Sequence, residues 1–173
     1  MVLMASSRRE AGVKSFPLVI YIVVPLLALG LQSLLSLHFN RFDLVDLPLL
    51  VTIYYGITQR EPMSATAAGA LIGIAQDALT HHALGIFGIS KSVVGYMAAS
   101  LGVRVDAENH GTRLLLTFGF TLLQTAVLWL LQRHMLGQPF AWHWFHELLR
   151  AVTNAVVAVI FFALLDLARR TEY

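Results

Sequence analysis

The fold class predicted is all-α: a polytopic membrane protein of six transmembrane helices. Three observations carry it. Hydrophobic residues make up 57% of the chain and charged ones 13%, where ordinary soluble domains are about a quarter charged. Apolar runs near transmembrane length recur along almost all of the 173 residues, which leaves little soluble mass. Lysines and arginines also segregate between alternate connections, as a multi-pass protein requires. A soluble helical core would need a polar face on its helices, and most of these runs have none.

Residues 1–15 are a polar N-terminal segment carrying Arg8, Arg9 and Lys14, residues 16–168 form the six-helix domain, and residues 169–173 are a short tail. Phe16 to Phe39 is the first span. It outruns the roughly 7–15 apolar residues of a signal peptide, so it reads as an uncleaved helix. Pro25 and Gly30 are tolerable inside a membrane helix, and Gln32 is the one strongly polar interior residue. His38 to Asp46 is a polar turn. Leu47 to Thr58, with Leu44 as an earlier start, is short for a bilayer that needs about 20 residues. It either re-enters or crosses by thinning the bilayer. Pro62 suits the first turn of the third helix. Met63 to His81 and Gly85 to Val103 are the third and fourth spans, joined by a turn short enough to make a hairpin. Arg104 to Arg113 is a charged loop, Leu114 to Leu131 the fifth span, Gln132 to His146 a longer connection, and Leu148 to Leu167 the sixth span.

Six crossings put Arg8, Arg9, Lys14, Arg60, Arg104, Arg113, Arg169 and Arg170 on one side and Arg41 and Arg133 on the other. The richer side is cytoplasmic by the positive-inside rule, so both termini are expected in the cytoplasm. Phe140, Trp142, Trp144 and Phe145 then lie at the outer interface, where aromatic rings are enriched. His143 and His146 have a spacing a metal can use, but no third ligand is evident, and the interfacial belt is the preferred reading. His81 and His82 fall at the same face. No metal or cofactor is expected, and no enzymatic constellation is visible: there is no cysteine, and Asp77 has no second carboxylate beside it. The modest positive charge is not gathered into a nucleic-acid-binding face.

The polar residues inside the spans carry the functional interest. Gly69, Gly73 and Asp77 share one face of the third helix, and Lys91, Gly95 and Ala99 repeat the spacing on the fourth. Small residues at this interval let helices approach closely. Asp77 and Lys91 both fall roughly 6–9 Å from the turn, so an ion pair between them is geometrically reasonable. Such a pair either locks the hairpin or meets a partner. On the sixth helix Glu147 and Arg150 are three apart and can pair, while Asn154 lies deeper with Gln124, Thr121 or Thr125 as candidate partners.

The run GALIGIAQDALTHHALGIFGISKSVVGYMAASLG resembles the signature region of the MreD family of rod shape-determining membrane proteins. The resemblance rests on Gly69, Gly73, Asp77, Leu84, Gly85, Gly95 and Tyr96. The six-span layout and the Asp-Leu-Pro and Tyr-Tyr-Gly residues of the second segment also fit. It implies a non-enzymatic component of the bacterial inner membrane, organising lateral peptidoglycan synthesis and cell shape. The partners it implies are an MreC-like bitopic protein, with MreB, RodA and PBP2 in the same complex. Glu147, Arg150 and the His-rich outer loop have no match in it. The competing class is transport, because the family is similar in architecture to the substrate-binding components of energy-coupling-factor vitamin transporters. An outer pocket capped by Trp142 and Trp144 is where such a ligand would sit. The Ala-x-x-x-Ala docking pattern of those components is missing, since Gln32 follows Ala28.

Overall fold

The computed structural model describes residues 18–38, 44–80, 83–105, 109–135, 137 and 143–170, with the side chains of 18, 19, 36–38, 169 and 170 excepted. Segment 1–15, Arg41, His81, His82, Phe140, Trp142 and the end of the tail therefore lie outside the described residues. The described chain is all-α. Its six helices are α1 (Leu18–His38), α2 (Leu47–Gln59), α3 (Pro62–Thr80), α4 (Ile86–Gly102), α5 (His110–Met135) and α6 (Trp144–Arg170).

Helix α2 is the axis of the bundle, touching each of the other five. Every residue from Leu47 to Ile57 is buried. A helix that is apolar all round has no face for water and belongs inside. Its 13 residues rise about 20 Å, and the surrounding helices cover that length, so the short segment is a central helix. Asp46 caps its start by accepting the Leu49 N–H. Arg60 ends it in the left-handed conformation and donates its N–H to Gly56 O. Pro62 then opens α3.

Helices α3 and α4 form the most extensive helix pair, with α5 and α6 as a second antiparallel pair and α1 against α2 and α3. A Cβ on Gly69 would strike the Lys91 carbonyl, one on Gly73 the Phe87 carbonyl, and one on Gly95 the Ala65 carbonyl. The α3 and α4 backbones are thus in direct contact. Gly85, at φ 98°, turns the chain into α4.

Two boundaries differ from expectation. Helix α5 begins at His110, so the charged loop is shorter than Arg104–Arg113, and Arg113 is a buried helical residue. Helix α6 begins at Trp144, so Trp144, Phe145 and His146 are helical. Hydropathy marks only the apolar stretch of a helix, and backbone hydrogen bonding carries the helix on into polar and aromatic flanks.

Helix α5 (His110–Met135) and the Trp144–Ala168 stretch of α6 are long and apolar enough to cross a membrane, and Ile20–Leu35 and Ile86–Gly102 are shorter apolar stretches. Large aliphatic side chains point outward, among them Leu27, Leu71, Leu115, Ile160 and Leu164, while Asp46, Asp77, Lys91, Gln124 and Asn154 are buried.

Candidate functional site

The buried polar residues gather where α2, α4 and α6 begin. Asp46 is their centre. Its carboxylate accepts Lys91 Nζ at 2.9 and 3.2 Å, Gln124 Nε2 at 2.7 Å and the Leu49 N–H at 3.0 Å. Gln124 closes the triangle, its Oε1 accepting Lys91 Nζ at 3.2 Å. The Asp46 N–H donates to Asn154 Oδ1 at 2.9 Å, and Asn154 Nδ2 donates to Leu44 O and Arg150 O. Gln32 joins from α1, donating to Val45 O and accepting from Leu47 N–H. The carboxylate thereby connects α2, α4 and α5, and the backbone on either side of it ties in α1 and α6.

This arrangement corrects the expected Asp77–Lys91 pair. The Lys91 carbonyl lies against Gly69 of α3, while its side chain leaves α4 toward α2 and α5, and its ammonium pairs with Asp46. Asp77 instead caps α4, accepting the N–H groups of Gly85 at 2.8 Å, Phe87 at 3.2 Å and Gly88 at 3.3 Å. The positive end of a helix dipole and its unpaired N–H groups supply the counter-charge expected from Lys91.

Two smaller expectations are also corrected. Glu147 accepts Thr125 Oγ1 at 3.0 Å and lies 3.6 Å from His146 Nδ1, whereas Arg150 reaches toward Asp46. Asn154 binds the chain entering α2 and not the polar residues of α5. The glycines Gly69, Gly73 and Gly95 are at the helix contacts described above, Gly85 is in the turn, and Trp144 is exposed at the start of α6.

A second polar group, not anticipated, sits at the opposite end. Asp166 accepts Tyr54 Oη at 2.8 Å and Arg113 Nη1 at 2.6 Å. The Arg113 guanidinium lies 5.9 Å from the Phe162 ring centre, and Tyr55 Oη donates to Ile20 O at 2.9 Å. Asp46 was the principal omission. Its signal was an acid directly before Leu-Pro, the N-cap pattern of a helix.

Among the described residues no group of three or more His, Asp or Glu side chains is placed to hold a metal. Compared with protein-family models, curated proteins and solved structures, the chain matches none.

Proposed function

We propose that this protein is a six-span component of the bacterial inner membrane that acts as a non-enzymatic scaffold of the cell-elongation complex, in the manner of the MreD family. The observation that carries the membrane part is the inverted polarity of the bundle. Aliphatic side chains cover its outside while the buried ion pair and amides are held inside, beside an apolar core, the distribution hydrocarbon surroundings favour. A scaffold fits the state of the central charges: Lys91 and Asp46 are 0% and 3% exposed and saturated by one another and by Gln124, so they serve to set helix positions. The residues on which the family resemblance rests are also those that build the α3–α4 hairpin, through close backbone contact at Gly69, Gly73 and Gly95 and the Asp77 cap. Among the described residues few lie outside the helices, and contacts to an MreC-like partner are made by helix faces and short turns.

The test is depletion in a rod-shaped host together with affinity capture in mild detergent. Rounded cells and recovery of an MreC-like bitopic protein are expected. Normal shape with loss of vitamin uptake would overturn the scaffold in favour of a transporter subunit.

A further inference from the structure

Among the described residues, Arg150 is the charge of the central cluster whose donors are left over. Its side chain is 18% exposed, and its buried Nε has no hydrogen-bond partner. Its contact with a described acid is Nη2 to Asp46 Oδ2 at 3.7 Å, beyond hydrogen-bond reach. Asp46 has no capacity to spare, since Lys91, Gln124 and the Leu49 N–H already fill both oxygens. Glu147, one turn earlier, is engaged by Thr125. A largely buried guanidinium with empty donors is costly, and an anion that fills them is correspondingly stabilised.

Depth says which anion. Helix α6 has 27 residues, about 40 Å at 1.5 Å each, against roughly 30 Å of hydrocarbon. Arg150 lies six residues from its start, about 9 Å along the axis. Helical side chains lean toward the N-terminus, which turns the guanidinium toward the headgroup end of the span.

We infer that Arg150 is the headgroup anchor for an anionic phospholipid, its planar fork taking the phosphate oxygens at the edge of the bundle. The inference rests on the membrane reading above.

The test uses the full chain purified in mild detergent and stripped of lipid, titrated with phosphatidylglycerol, phosphatidylcholine or inorganic phosphate. Bound lipid is read by native mass spectrometry and stability by thermal unfolding. Phosphatidylglycerol should be retained in preference to phosphatidylcholine and should raise the unfolding temperature. Arg150→Gln should weaken that binding roughly tenfold, and Arg150→Lys should restore part of it, since the charge remains without the fork. Arg133→Gln removes a charge at the same end that stacks on Trp129 and should change nothing. Equal lipid binding by wild type and Arg150→Gln overturns the inference. So does an Arg133→Gln loss as large as that of Arg150→Gln, or stabilisation by inorganic phosphate equal to that by lipid. If Arg150→Gln keeps its lipid but loses a co-purifying protein, the guanidinium binds a protein carboxylate and the lipid is overturned. Alkaline carbonate extraction separates the two levels: a chain washed from membranes defeats the membrane reading, whereas an embedded chain indifferent to Arg150 defeats this inference alone.

Discussion

Lys91 and Asp46 are 45 positions apart in sequence, and each removes the other's cost of burial. A lone ammonium or carboxylate inside the bundle would be severely penalised, so deleting one partner should be worse than deleting both. Lys91→Met or Asp46→Asn alone should cost about 3–5 kcal/mol, and the double variant less than the sum. The paired Asp77→Asn and Lys91→Met cycle should be close to additive, with coupling below about 0.5 kcal/mol. Reversible unfolding in detergent measures both cycles. A stronger coupling for Asp77 than for Asp46 would refute the assignment of partners. That assignment was only half legible. The depth of Lys91 pointed to an acid at the same end of the bundle, and Asp77 satisfied that condition in the adjacent helix. Asp46 satisfied it too, but a pairing across α2 and α4 depends on which way the α4 side chain leaves its backbone.

Among the elements, α3 and α4 depend on the absence of side chains where their backbones touch. Gly73→Ala would drive a Cβ into the Phe87 carbonyl, which cannot yield as a flexible side chain would. Overpacking of this kind costs about 1–3 kcal/mol. Gly30 of α1 has nothing within 4 Å of the corresponding position. There Gly30→Ala should be neutral, or stabilising by up to about 1 kcal/mol through helix propensity. Thermal unfolding of the two variants checks the contrast, and equal effects would mean that α3 and α4 do not pack this closely. The four-residue spacing of glycines made this face readable from sequence, because the helix period alone puts Gly69 and Gly73 on one side. The other end of the bundle was less readable. Arg113 and Asp166 lie 53 positions apart at the margins of their apolar runs, where a charge is unremarkable, and only the packing of α5 on α6 beside Tyr54 joins them.

For the whole molecule, successive helices alternate in direction around α2, so the α2–α3 and α3–α4 turns emerge at opposite ends. The chain contains no cysteine, which makes single introductions clean reporters. Arg60→Cys and Leu84→Cys, both at exposed positions, should react with a membrane-impermeant thiol reagent from opposite faces of the membrane, Leu84→Cys from outside intact cells. Labelling of both from one face would refute the alternating six-span arrangement. The expected asymmetry of arginine and lysine is consistent with the Arg60 end being cytoplasmic.

Composition and periodicity by themselves determined the six helices of the described residues, with approximately these spans, because apolar length and the 3.6-residue repeat are local properties. They also marked Asp77, Lys91, Arg150 and Asn154 as residues in need of partners. Only the tertiary structure decided who those partners are: Asp46 for Lys91, the N-terminus of α4 for Asp77, and the chain entering α2 for Asn154. The reason is physical. Whether a polar residue must be satisfied follows from its surroundings along the chain, whereas which group satisfies it depends on the rotation of each helix about its axis, and that is set by packing against α2.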